Sequence, residues 1–139
     1  MAKVKFRVYA RDIRAAVKNE VEGPILALTK NPDVLRSIAQ EALEIVTPYV
    51  PMKSGDLVTS GHVVQNSKQT NIIWGDPGVG KTLYYAAYQH DNFFANRTLE
   101  FHPKAKSFWT EELERGTPGF EELIAFAAPL MQREVKHGR

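Results

Sequence analysis

The sequence predicts an α+β fold in which a small antiparallel sheet with a long hairpin packs against two to four helices. Alternating hydrophobic residues at Val4, Phe6 and Val8 indicate a half-buried strand. Between residues 33 and 46, hydrophobic residues recur every three or four positions, which indicates an amphipathic helix. The 139 residues, 43% hydrophobic and 24% charged, are typical of one globular domain. We expect this domain to span residues 1–139, with 1–30 and 116–139 as candidate peripheral arms.

The helix over Asp33–Val46 has the clearest signals at its two ends. Asn31 or Asp33 is the expected cap, and Pro32 suits the entry to a helix. Pro48 ends it, because the residue before a proline resists helical angles. The predicted buried stripe is Val34, Leu35, Ile38, Ala39, Ala42, Leu43 and Val46.

The remaining elements of the first half are shorter. A short helix is allowed over Asp12–Glu20. Residues 47–61 contain two prolines and two glycines, which predicts a loop. The two strands of the hairpin are predicted at His62–Asn66 and Asn71–Trp74.

Two helices are predicted in the last third of the chain. The first covers Lys104–Arg115, with Phe108, Trp109 and Leu113 on its apolar face, and Gly116 ends it. The second covers Phe120–Lys136, and we expect Pro129 to kink or split it. Its predicted apolar side is formed by Leu123, Phe126, Ala127, Leu130 and Val135.

The composition argues against several classes of function. There is no cysteine, which removes disulfides and thiolate metal sites. The four histidines lack the paired spacing of metal ligands, and the apolar run Leu123–Leu130 is too short for a membrane span. The net charge of +2 is too balanced to favour nucleic acid as the main ligand. We therefore predict no metal site and no membrane partner.

One segment matches a nucleotide-binding motif. Residues 75–82 fit the phosphate-loop pattern G-x-x-x-x-G-K-T, and an apolar strand precedes them. No second apolar strand ends in the aspartate that would hold magnesium, and the residues after Thr82 are aromatic and poor helix formers. We favour a surface loop. The alternative is a small nucleotide-binding protein that uses Gly75, Gly80, Lys81 and Thr82.

Aromatic residues are dense in the second half of the chain. Stacking on nucleic-acid bases is one interpretation. Packing in the core and at protein interfaces is the favoured one, because no run of lysines and arginines accompanies the rings. The residues concerned are Tyr84, Tyr85, Tyr88, Phe93, Phe94, Phe101, Phe108 and Trp109.

Three blocks together resemble a known family. Residues 47–60 fit P-Y-V-P-x-x-[ST]-G-x-L-x-x-S, residues 84–90 fit Y-A-x-Y-Q-H, and residues 102–109 fit P-x-A-x-x-x-W. These patterns are similar to those of the minor capsid and tail-completion proteins of tailed bacteriophages, a group that includes the small neck proteins between head and tail. The blocks occur in the expected order, while residues 4–30 and the last helix align with nothing in that group.

The resemblance implies a structural protein without enzymatic activity or cofactor. Like subunits would form a homo-oligomeric ring at the head–tail junction of the virion, after synthesis in the host cytoplasm. One face would bind a connector or portal-side protein, and the other a tail terminator or tail tube protein. DNA passing through the lumen would make only weak, sequence-independent contacts.

The resemblance also assigns roles to individual residues. Pro48 and Pro51 would stiffen the crossing from helix to strand, and Gly55 would allow a tight turn. Tyr84, Tyr88 and Trp109 would lock the sheet to the last helices. The full set expected in subunit contacts or in structural roles is Pro48, Tyr49, Pro51, Gly55, Leu57, Tyr84, Tyr88 and Trp109.

Overall fold

The computed structural model describes residues 4–50, 56–75, 86, 90 and 104–137. Three short 3-10 helices, at Leu28–Lys30, Thr47–Tyr49 and Trp109–Leu113, connect the main elements. In chain order those elements are β1 (Val4–Arg7), α1 (Ala10–Glu20), α2 (Pro32–Val46), α3 (Asp56–Ser60), β2 (His62–Gln65), β3 (Thr70–Trp74) and α4 (Pro118–His137).

The sheet has three strands in the order β1-β3-β2, and both pairings are antiparallel. Ile72 of β3 lies opposite Phe6 of β1 and Val63 of β2. All five residues of β3 are buried, as expected for a central strand covered on both faces. The predicted hairpin is therefore confirmed. Its turn is held by Asn66, whose Oδ1 accepts the amides of Lys68 (2.8 Å) and Gln69 (2.9 Å).

Helix α2 forms the centre of the hydrophobic core. Its residues Ile38, Ala39, Ala42 and Val46 are completely buried, and the helix contacts α4 as well as β2 and β3. Helices thus pack on an antiparallel sheet, which confirms the predicted α+β class. The predicted stripe is also confirmed, apart from Val34, which is only half-buried.

The two ends of the chain belong to the same core, although they were candidates for peripheral arms. Three side chains from these ends are at most 2% exposed, namely Val17 of α1 and Ile124 and Met131 of α4. They belong to one hydrophobic cluster with Ile38 of α2. The described parts of residues 1–30 and 116–139 therefore help to build the core.

The start of α2 agrees with the prediction in its cap residue but not in the expected type of hydrogen bond. Asn31 is the N-cap, and its carbonyl accepts the amides of Val34 and Leu35, but its side chain forms no capping hydrogen bond. Asn31 instead points backwards, and its Nδ2 donates to the carbonyl of Ala27 at 2.8 Å. Asp33 lies in the first turn of α2, where its charge interacts favourably with the helix dipole.

Two predicted boundaries were wrong. The stretch 47–61, predicted as a loop, contains α3, and Ser60 Oγ closes that turn by donating to the carbonyl of Leu57 at 2.7 Å. The helix predicted over Lys104–Arg115 is reduced to the 3-10 helix Trp109–Leu113. Phe108 has a φ of 52°, and this left-handed conformation stops the helix from extending towards residue 104. Gly116, predicted to end this helix, does not do so: the helix ends at Leu113 with Glu114 as its C-cap, and Gly116 lies two residues further on with a φ of 89°.

Helix α4 is neither split nor ended by Pro129. A proline inside a helix removes one hydrogen bond, and the packing of α4 against α1 and α2 offsets this loss. The predicted apolar side was wrong for Phe126, which is 38% exposed, whereas the side chain of Val135 lies outside the described residues. The buried face consists of Phe120, Leu123, Ile124, Ala127, Ala128 and Met131.

Candidate interaction surface

Four of the eight residues assigned from the family resemblance lie in the described part of the chain. Leu57 and Trp109 are buried, with 4% and 0% exposure, so both act in the core and neither is available to a partner. Pro48 is exposed and Tyr49 is half-buried. The other four, Pro51, Gly55, Tyr84 and Tyr88, lie outside the described residues.

Trp109 joins the sheet to the segment that precedes α4. Its ring meets that of Trp74, the last residue of β3, edge to face. His90 lies 4.7 Å from the Trp109 ring, centroid to centroid, and its Nε2 is 2.8 Å from Thr110 Oγ1. Three separate parts of the sequence therefore meet in one aromatic cluster, as expected of residues that fix a sheet against neighbouring elements.

Tyr49 lies where the segment after α2 meets the segment before α4. Its carbonyl accepts the amide of Lys106 at 2.9 Å. The Nζ atoms of Lys104 and Lys106 lie 5.8 Å and 6.0 Å from the centre of its ring, within the range of cation–π attraction. Lys106 also pairs with Glu112 at 2.6 Å. We call Pro48, Tyr49, Lys104 and Lys106 the Tyr49 corner.

The start of the glycine-rich segment lies in a setting unlike that of phosphate loops. Gly75 follows β3, the central strand of an antiparallel sheet, whereas nucleotide-binding loops of this pattern follow strands of parallel sheets. Gly75 has a φ of 84°, and its amide donates to Ser60 Oγ at 3.0 Å. Gly80, Lys81 and Thr82 lie outside the described residues.

Helix α4 carries a second apolar stripe that the sequence analysis missed. Its apolar members Ala125, Phe126 and Pro129 are exposed, as is the charged Glu122 at its start, and spacings of three and four place these residues on one face. This outer stripe lies opposite the buried face of the same helix. The spacing alone could have revealed it, but Phe126 was assigned to the core.

A group of like charges surrounds the start of the outer stripe. Partial burial raises the pKa of the Glu41 carboxyl on α2, and the negative charges of Glu44 and Glu122 raise it further. In the described part of the chain, none of these three carboxylates forms an ion pair. This repulsion is relieved if a neighbouring molecule brings positive charge to this end of α4.

A shallow groove lies between β1, the start of α1 and the start of α4. Its volume is about 210 Å³, below the roughly 300–1,000 Å³ of sites that enclose small molecules. It has apolar walls, which include Phe6, Phe120 and Leu123, and a charged rim with Arg7 and Asp12. The size suits a single inserted side chain better than a nucleotide or cofactor.

The described residues offer few features of a catalytic or metal centre. They contain no group of three or more potential metal-ligating His, Asp or Glu residues. Among the helices in this part of the chain, none has the length and apolar character to cross a bilayer. Comparisons of the chain with family models, curated proteins and solved structures gave no match.

Proposed function

We propose that the chain is a structural virion protein of a tailed phage, which acts at the head–tail junction. It forms a ring with like subunits and bridges the connector to the tail. The observation that carries the assembly role is the outer stripe of α4. Phe126, with Ala125 and Pro129, gives α4 an apolar surface opposite its buried face, and within the described residues this outer side is exposed. An exposed apolar surface of this kind is suited to contact with a neighbouring subunit.

The placement of this assembly in a phage rests on the three sequence blocks. They resemble minor capsid and tail-completion proteins, and that resemblance implies helices packed on an antiparallel sheet. The observed order β1-β3-β2 is compatible with this expectation. The roles at the connector and tail faces follow from the resemblance.

A ring requires two different surfaces on each subunit, because head-to-tail contacts close only when one face matches another. The outer stripe supplies one candidate surface, with Phe126 as its largest apolar side chain. The Tyr49 corner supplies a second candidate, since an exposed proline, a half-buried tyrosine and two lysines adjoin there. Tyrosine is among the residues enriched where proteins associate.

The alternative function, nucleotide binding through Gly75, Gly80, Lys81 and Thr82, has less support. The antiparallel setting of β3 and the use of the Gly75 amide by Ser60 both differ from what a phosphate loop requires. Titration with fluorescent ATP and Mg²⁺ tests it directly. A saturable Kd tighter than about 10 μM, or about −7 kcal/mol, would favour this alternative, provided that Lys81→Ala abolishes it.

Assembly is tested by sedimentation velocity and negative-stain microscopy of the purified chain, together with incorporation of the chain into phage particles. We expect Phe126→Glu to abolish ring formation and incorporation while leaving the circular dichroism spectrum unchanged. Val64→Glu is the matched control, because Val64 is also 38% exposed but lies on β2. Particles that lack the wild-type chain at the neck, or full assembly of the Phe126→Glu variant, would contradict the proposal.

A further inference from the structure

We propose that the exposed face formed by β1 and α1 binds the phosphate backbone of duplex DNA without sequence preference. This basic face consists of Lys5, Arg7, Arg11, Arg14 and Lys18. The family resemblance implies weak DNA contact without placing it on the chain, and the proposal assigns it a surface. Its test does not depend on ring formation, because the face is a property of a single chain. The proposal rests on the arrangement of these cations, on their exposure and on the single acidic residue among them, Asp12.

Helix α1 supplies the central row of cations. Arg11, Arg14 and Lys18 are all exposed, and spacings of three and four place them on one side of the helix. The opposite side is anchored by Ile13 and Val17, which are 2% and 0% exposed. The three charges therefore project from a helix whose position is set by the core.

Tyr9 connects this row to the strand. The guanidinium carbon of Arg7 lies 4.5 Å from the centre of the Tyr9 ring, and that of Arg11 lies 5.3 Å from it. Both distances are within the range of cation–π attraction. The tyrosine, itself 39% exposed, thus holds one arginine from β1 and one from α1 around a single ring. This ordering lowers the entropy lost when the arginines bind an anion.

Charge is segregated along the chain. Residues 4–18 contain five basic residues and one acidic residue, whereas the whole chain contains 18 basic and 16 acidic residues. The acidic residue is Asp12, whose Oδ1 lies 3.9 Å from Arg11 Nε. At this distance the pair is loose, and the planar guanidinium retains donors for a phosphate. The chain therefore has a strongly basic face although its net charge is only +2, because most acidic residues lie elsewhere in the sequence.

An extended polyanion fits this face better than a compact ligand. The row on α1 extends about 10 Å along the helix axis, and duplex DNA presents one charge per about 1.7 Å of its own axis. Several phosphates therefore come within reach at once. Binding to anionic membranes by a helix is typically accompanied by large apolar side chains on the inserted face. On α1 itself the exposed residues beside this row are Ala15 and Asn19, and the exposed Tyr9 ring that precedes the helix is in contact with Arg7 and Arg11.

Fluorescence anisotropy with short duplexes of two unrelated sequences tests the proposal. We expect a Kd on the order of 10 μM at about 50 mM salt, within a factor of about two for both sequences, as in non-specific binding. The logarithm of the association constant should fall with the logarithm of salt concentration with a slope of about −3 to −4, for roughly four neutralised phosphates.

Two variants with the same change in net charge distinguish DNA binding by the basic face from a general effect of positive charge. The triple variant Arg11→Ala, Arg14→Ala, Lys18→Ala should weaken binding at least about tenfold and reduce the slope by about 3. The matched control is Thr29→Glu, Lys30→Ala, Arg36→Ala, which lowers the net charge by the same three units at exposed positions outside both proposed assembly surfaces and should change the Kd less than about threefold. Circular dichroism confirms that both variants are folded.

Three outcomes would overturn the inference. These are equal weakening by the two triple variants, no binding up to about 100 μM protein at low salt, and tighter binding to vesicles of anionic lipid than to duplex DNA. The proposed assembly role is judged separately, by ring formation of the Phe126 variant. Rings that do not bind DNA would reject only the basic face, and DNA binding without rings would reject only the assembly role.

Discussion

The indole rings of Trp74 and Trp109 meet edge to face, with 5.8 Å between their centroids and 78° between their planes. Both side chains are completely buried. They lie 35 positions apart in the sequence, so their contact fixes the end of β3 against the 3-10 helix before α4. Among the described residues, neither indole Nε1 has a hydrogen-bond partner, so the contact between the two rings stabilises the fold by packing.

A double-mutant cycle measures this contact. We expect Trp109→Phe to destabilise the chain by about 1–3 kcal/mol, because the lost volume leaves a cavity, whereas removal of an unpaired N–H offsets part of the cost. The coupling between Trp74→Phe and Trp109→Phe should be about 0.5–1.5 kcal/mol. Urea denaturation provides the values. Additivity of the two substitutions would contradict the contact, and the exposed Val64→Ala serves as an uncoupled control.

Gly119 should tolerate no side chain. A Cβ at this position would collide with the carbonyl oxygen of Glu112, and that oxygen belongs to the backbone. Gly119→Ala should therefore destabilise the chain by roughly 2–3 kcal/mol. Gly116→Ala is the comparison, because a Cβ there meets open space but the φ of 89° is unfavourable. It should cost only about 1 kcal/mol. Equal thermal shifts for the two variants would show that the contact with Glu112 is absent.

Glu41 should oppose folding at neutral pH. Its pKa is raised by partial burial and by the charges of Glu44 and Glu122, so the folded chain binds this proton more tightly than the unfolded chain. Stability contributed by the protonated form is present below the unfolded pKa and is lost as the pH rises through the folded pKa. Glu41→Gln should therefore raise the melting temperature at about pH 7 but not at about pH 4. Glu22→Gln, at an exposed site, is the control, and a gain independent of pH would contradict this cause.

Replacement of Pro129 should stabilise the isolated chain. Pro129→Ala restores an amide inside the continuous helix α4 and removes a poor helix former, which favours the folded state by about 1–3 kcal/mol. Denaturant unfolding checks the gain, with the exposed Ala125→Ser as a control on the same face. A loss of stability would mean that the ring of Pro129 makes packing contacts that outweigh the missing hydrogen bond.

The elements with strong periodicity could be predicted from the sequence, whereas the boundaries set by single backbone conformations could not. Regular spacing identified α2, β1 and the hairpin. The left-handed Phe108 gave no such signal, since the adjacent Trp109 and Leu113 fit a helical face equally well. Pro129 had the opposite effect on the prediction: it indicated a kinked or split helix, but α4 is continuous. The loss of one hydrogen bond can be predicted from the sequence, whereas the packing that offsets it cannot.

The candidate surfaces were harder to predict, because they depend on which side of a helix faces the core. Phe126 and Leu123 both fit an apolar face of α4, and only the packing against α1 and α2 shows that Phe126 points outwards. The basic face was hidden by the small net charge of the whole chain. Of the Tyr49 corner, Pro48 and Tyr49 belong to a contiguous motif that predicts a contact role, whereas the approach of Lys104 and Lys106 to the Tyr49 ring depends on the fold.

The proline in α4 also has a consequence for partner choice. Since Pro129 has no N–H group, the carbonyl of Ala125 lacks the donor that would normally lie four residues further on. This acceptor adjoins Phe126 on the exposed side of the helix. An entirely apolar partner surface that covered the Ala125 carbonyl would leave this acceptor without a hydrogen bond, at a cost of about 1–3 kcal/mol. In the proposed ring, a neighbour with one donor at that point would avoid this cost, so this backbone oxygen would favour one docking direction over others.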